Sequence, residues 1–270
     1  MQHVNDNAEV RRLFSAVWTE VAPPGRLLCG RLSGSRGYGT ARPESDHDWA
    51  GVYVGPTRDL LALAPPEDTI NFTAGEGRDW TFHEARKFLL ILGSANANTL
   101  EALFMPADAV VPGDPLFRPL WEELVAHRRL FLTQQVLAHY VHYANSQLMR
   151  VRGVPVRPSK KRPNKPVDVM KDACHGLRLL FNAREIARGE EPSIRLSGGE
   201  LATVKSVRTG HVAGPYIVET ADNLIAEING YKPWPLPEDG PTALADDWLF
   251  RLRRLDLDNP APAALPREPV

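Results

Sequence analysis

The stretch Leu32-Ser33-Gly34-Ser35-Arg36-Gly37-Tyr38-Gly39-Thr40-Ala41-Arg42-Pro43-Glu44-Ser45-Asp46-His47-Asp48 decides how this chain is read. The apolar run Arg26 to Leu32 (RLLCGRL) stops at Gly34-Ser35, a glycine-rich turn of helix follows, and an Asp-x-Asp pair opens the next apolar run, Asp48 to Val54 (DWAGVYV). Residues i and i+2 of a strand share a face. Asp46 and Asp48 therefore bring two carboxylates to one point, a donor set suited to a hard divalent cation, with Mg2+ the natural occupant. Gly34 lets a ligand approach the backbone closely, and the free amides of a helix start favour phosphate. Ser35 adds a hydroxyl and Arg36 a charge clamp. Together these features expect a metal-bound nucleoside triphosphate. An Asp-x-Asp or a Gly-Ser pair alone is ordinarily a turn, so the combination carries the reading. The glycines do not form G-x-G-x-x-G, because position 36 is Arg, and no G-x-x-x-x-G-K-[ST] occurs, which excludes Rossmann and P-loop sites.

Outward from this stretch, period and punctuation predict a helix over 8–21, strands at 26–32, 48–54 and 78–82 with a short one at 69–72, and helices at 83–92 and 99–104. After Pro106 the texture changes: VVPGDP reads as a turn-rich joint, and helical period dominates beyond it, near 117–128, 133–150, 166–188, 199–208, 216–230 and 242–255. The expected architecture is α+β, with a catalytic domain over 1–110 built on a small mixed sheet, a helical domain over 111–258 and a flexible tail over 259–270.

Composition sets the bounds. The chain has 270 residues, 43% hydrophobic and 24% charged, enough apolar material for a sizeable core, and this excludes disorder as the main state. No apolar run is long enough to span a bilayer, and the opening MQHVNDNAEVRRLF lacks signal-peptide order, so a cytoplasmic protein with no membrane partner is expected. Cys29 and Cys174 stand far apart without a CxxC and are read as reduced, buried residues. The net charge of -1 hides an asymmetry: residues 150–188 hold eleven Lys/Arg against three acids.

The run GSRGYGTARPESDHDWAGVYV resembles the Gly-Ser to Asp-x-Asp signature of DNA-polymerase-β-type nucleotidyltransferases, and its details resemble the subgroup called RNA repair pathway DNA polymerase β family proteins. Phe82-His83-Glu84-Ala85-Arg86-Lys87-Phe88, Asn96-Ala97-Asn98-Thr99-Leu100-Glu101, and Lys171, His175, Gly176, Leu177 and Arg178 support the subgroup. The resemblance implies a sheet holding three acidic residues, two metal ions (Mg2+ or Mn2+) and an NTP such as ATP, with transfer of a nucleoside monophosphate to an acceptor hydroxyl of RNA. Asp46 and Asp48 map to the first two acids. For the third, on a later strand, Asp79 is preferred over Glu101 and Glu84. Alternatives keep the chemistry with a protein or small-molecule acceptor, or make the chain a silent nucleotide-binding module.

Gly34, Ser35, Arg36 and Tyr38 are the nucleotide-binding candidates of the first motif. Lys171, His175 and Arg178, spaced four and three apart, share a helical face, and the resemblance points that face across the cleft at the nucleotide. Arg157, Lys160, Lys161, Arg162 and Lys165, in a proline-rich loop, are candidates for RNA phosphate contacts. His139 and His142 match no zinc spacing and are read as packing or surface residues, and His47 is expected outside the metal site.

Overall fold

The computed structural model describes residues 7–74, 78–155 and 168–260, with backbone alone at 7, 73, 74, 78 and 79. It is an α+β fold in which a five-stranded mixed sheet is combined with helices, as the sequence led us to expect. The first half runs α1 (Asn7–Val21), β1 (Arg26–Ser33), α2 (Gly34–Tyr38), β2 (Asp48–Val54), α3 (Thr57–Leu60), β3 (Thr69–Ala74), β4 (Arg78–Glu84), α4 (Ala85–Gly93), α5 (Ala97–Leu100) and β5 (Val110–Pro112). Six helices follow: α6 (Arg118–Ala126), α7 (Gln134–Leu148), α8 (Val169–Ala187), α9 (Gly198–Arg208), α10 (Gly214–Gly230) and α11 (Thr242–Asp258).

The strand order is β3-β4-β2-β1-β5; β2 and β4 are parallel and the other neighbours antiparallel. Alternation sorts the side chains between two faces. Leu32, Trp49, Trp80 and Phe82 pack with Val10, Phe14 and Val17 of α1. Gly30 is glycine because a side chain there would collide with the Phe14 ring. The other face belongs to a core in which Leu28, Phe88 and Leu100 pack with Leu137, Leu177 and Trp248, so apolar contact is continuous from the sheet into the helices on both sides of residue 110.

Two element expectations are corrected. Val110–Pro112, read as part of a joint, is an edge strand on β1, with Arg31 opposite Val110 and Cys29 opposite Pro112. Three residues show no alternation, and a proline with no N–H to offer is tolerated at a sheet edge. His83 and Glu84 belong to β4, not to the following helix; Glu84 ends the strand and caps α4, its Oε2 accepting the Arg86 amide at 2.7 Å.

Helix α11 returns to the sheet. Asp256 accepts from Arg26 Nη2 at 2.9 Å and from the Thr57 amide at 2.7 Å, and Arg253 pairs with buried Glu84 at 2.6 Å. Both carboxylates therefore hold α11 against the sheet, one at β1 and one at β4. Among the described residues no helix is long and apolar enough to cross a membrane.

Candidate active site

Register fixes the floor of the site. On the sheet face away from α1, Ser33 lies opposite Asp48, Arg31 opposite Ala50, and Ala50 in turn beside Thr81; Val52 and His83 form the next row. The floor thus passes from a carboxylate, through a small residue flanked by Arg31 and Thr81, to a histidine. Above it opens a cleft of about 940 Å³, walled by α2, by the 39–48 loop and by α7, α8 and α9.

Gly34, Ser35 and Tyr38 of α2 line this cleft together with Asp46 and Asp48. Gly34 has φ +61°, and a Cβ on it would overlap Asp48 Oδ2. The Gly-Ser turn and the Asp-x-Asp pair, joined in the sequence by spacing alone, are in contact in the fold. Asp46 is exposed at the end of the loop and Asp48 is half-buried at the first position of β2. Their oxygens are hard donors, which fits a divalent cation. Among the described residues no group of three or more His, Cys, Asp or Glu side chains is gathered for a metal.

Arg36 is not among the lining residues. Its guanidinium donates to the carbonyls of Pro43, Ser45 and Asp46 at 2.6 to 3.2 Å. Arg36 thus braces the loop that carries Asp46. His47 stacks on Trp49 with rings 6.3 Å apart.

Helix α8 supplies the facing wall, and Lys171, His175 and Arg178, on one helical face by their spacing, all line the cleft. Their environments differ. Lys171 is exposed. Arg178 is 1% exposed; its Nη1 donates to Glu101 Oε1 at 2.7 Å and its guanidinium lies 3.7 Å from the centre of the Tyr38 ring. Its charge is matched by Glu101, which is fully buried. Burial, aided by the Glu101 carboxylate, pushes the Tyr38 hydroxyl above its ordinary range despite Arg178. His175 is held down to about 3 by burial and then by the charges of Arg178 and Lys171. His83 is lowered to about 4, first by burial and then by Arg31 and Lys87.

The three candidates for a third acid separate. Glu101 is committed to Arg178, and Glu84 to Arg253, the Gly55 amide and the α4 cap. Asp79 immediately precedes Trp80, which pairs with Trp49, so its backbone sits in the register position beside Asp48; its side chain lies outside the described residues. So do Arg157, Lys160, Lys161, Arg162 and Lys165.

Several lining residues carry no signal singled out in the sequence: Arg31, Tyr143, Gln147, Lys205 and Arg208. Arg31 donates to the Asn98 carbonyl at 3.1 Å, and Arg42 reaches from the loop to the Arg208 carbonyl, so the 39–48 loop is tied to the end of α9. Arg31 carried a usable signal, since it shares strand parity with Ser33. Cys174 also borders the cleft, but its thiol donates to the Val204 carbonyl and burial pushes it up to about 12, so it is no nucleophile.

The family model described as the RNA repair pathway DNA polymerase beta family matches residues 8–205. No curated protein matches the chain. Solved structures do, among them that of a nucleotidyltransferase-like protein from Exiguobacterium sibiricum 255-15, at 11% identity over 90% of this chain and 79% of that one, with a TM-score of 0.30.

Proposed function

This chain belongs to the RNA repair pathway DNA polymerase beta family, and from that premise we propose that it transfers a nucleoside monophosphate from an NTP to a hydroxyl of RNA in the cytoplasm. The observation that carries the reading is the contact between the Gly34-Ser35 turn and Asp48 within a cleft that Lys171 and His175 also line. Phosphate and metal sites that touch are what in-line displacement at an α-phosphate requires.

In this reading Asp46 and Asp48 hold Mg2+ or Mn2+, with Asp79 as the third carboxylate by its register beside Asp48. Bound metal lowers the pKa of the attacking hydroxyl and neutralises charge on the departing pyrophosphate. The chain's own residues do the positioning. The α2 amides and the Ser35 hydroxyl bind the triphosphate, and Arg36 keeps the Asp46 loop in place. Lys171 and Lys205, exposed on α8 and α9, supply positive charge for the NTP and for the RNA backbone, together with the 157–165 basic residues. No covalent enzyme intermediate is needed.

The test is incubation of the purified protein with each labelled NTP, Mg2+ or Mn2+ and total RNA, followed by separation of RNA, protein and small molecules, with Asp48→Asn in parallel. Label entering RNA with the wild type and not with Asp48→Asn is the expected result. Label in protein or in a small molecule would move the acceptor. Absence of any transfer, with NTP binding retained, would make the chain a nucleotide-binding module.

A further inference from the structure

The lining of the cleft holds two chemically different groups of residues. Asp46, Asp48 and the Gly34-Ser35 turn form one, built for metal and phosphate. The other is formed by His175 of α8 with Tyr143 and Gln147 of α7. Tyr143 and Gln147 are one helical turn apart and share a face. The His175 ring meets Tyr143 edge-on, with centroids 5.1 Å apart at 77°, and has Tyr38 on another side at 6.4 Å.

Arg178 fixes the chemistry of that histidine. Its Nη2 approaches His175 Nδ1 at 3.4 Å. A guanidinium has no lone pair to offer, so Nδ1 is the acceptor and the imidazole proton resides on Nε2. The charge responsible is itself neutralised within the protein by Glu101. Burial, and then the charges of Arg178 and Lys171, keep His175 uncharged at any physiological pH. This wall therefore offers aromatic area, one fixed N–H donor and an amide that can donate and accept. Such a surface suits a flat heteroaromatic group with a hydrogen-bonding edge and has nothing special to give a phosphate.

We propose that His175, Tyr143 and Gln147 form the slot for the nucleobase of the NTP, with the His175 Nε2–H and the Gln147 amide selecting among bases. The proposal rests on the NTP reading above and adds to it the group that decides which NTP is used. Tyr38 links the two groups: it stands three residues after Ser35 in α2, and its ring centroid lies 6.4 Å from that of His175.

The experiment measures dissociation constants without acceptor, in Mg2+, for ATP, CTP, GTP, UTP, ribose 5-triphosphate and inorganic triphosphate. The proteins are the wild type, His175→Gln and Gln147→Ala, the latter a half-buried position that guards against a folding failure at 175. The wild type is expected to rank the four NTPs, and each variant to change that ranking by roughly 5- to 30-fold, the worth of one hydrogen bond. Inorganic triphosphate and ribose 5-triphosphate should bind all three proteins alike. An unchanged ranking in both variants would overturn the slot, as would a parallel loss for ribose 5-triphosphate, which would assign the wall to the sugar. If the wild type binds inorganic triphosphate and all four NTPs equally, the slot is wrong and the triphosphate site stands. If it binds none of them, the NTP reading itself fails.

Discussion

Replacing Arg178 with Met removes one half of a buried ion pair and keeps most of the volume. Both partners are out of solvent, at 2% and 0% side-chain exposure, and the second oxygen of Glu101 already lacks a hydrogen-bond partner. Loss of the guanidinium leaves a buried carboxylate without its counter-ion, a change that costs about 3–5 kcal/mol. The stacked contact over Tyr38 at 3.7 Å also goes. For a protein of this size each kcal/mol lowers Tm by about 2–4 °C, so Arg178→Met should melt roughly 6–20 °C early. Urea denaturation of Arg178→Met, Glu101→Leu and the double variant at pH 7 gives the coupling energy. The double variant should recover most of the loss, because no charge remains buried. An Arg178→Met cost below about 1 kcal/mol, or a double variant as unstable as the sum of the singles, would refute the idea that Glu101 neutralises Arg178.

Two further outcomes follow from geometry and charge. Gly34→Ala, at φ +61° and colliding with the Asp48 carboxylate, should cut NTP affinity and transfer more than tenfold, while Gly93→Ala, whose added carbon meets nothing within 4 Å, should leave both intact; calorimetric titration with NTP distinguishes them, and equal behaviour would detach the phosphate turn from Asp48. His175 and His83 have folded pKa values of about 3 and about 4, below the ordinary 6.5, so the unfolded chain binds protons first: their contribution is complete above pH 6.5 and is lost as pH falls from there towards 3–4. Urea midpoints over pH 4–7 should fall with acidity, by up to about 1.4 kcal/mol per pH unit for each histidine, and His83→Gln should flatten that slope; a slope unchanged in His83→Gln would mean that its imidazole is not held neutral.

The parts of the site legible in the sequence are those whose geometry is local. Asp46 and Asp48 are two residues apart, Gly34-Ser35 follows the end of a strand, and Lys171, His175 and Arg178 follow helical spacing; six of these seven residues sit where a single strand or helix puts them, and Asp46 lies two residues before its strand begins, in the loop. What the sequence could not reveal lies in partnerships across the chain. Arg178 and Glu101 are 77 residues apart, and only the fold shows that one cancels the other. Glu84 resembled a third acid because nothing nearby announces that Arg253, 169 residues away, would occupy it. The bonds of Arg36 were hidden for a subtler reason: an arginine beside a Gly-Ser turn looks like a clamp, and the carbonyls it binds belong to a loop whose path no local pattern predicts. Val110–Pro112 is too short to show a period, so its pairing with β1 left no trace.

The return of α11 to the sheet bears on how the protein is made. Arg26 and Asp256 are 230 residues apart, so a ribosome adding about 5–20 residues per second leaves the first strand without its counter-ion for roughly 10–50 s. During that interval Arg26, Glu84 and the Thr57 amide must stay hydrated in a sheet that is not yet closed on itself. The ion pairs of the sheet therefore cannot be completed until α11 has been synthesised, and nascent chains halted before α11 are the species on which chaperones would act.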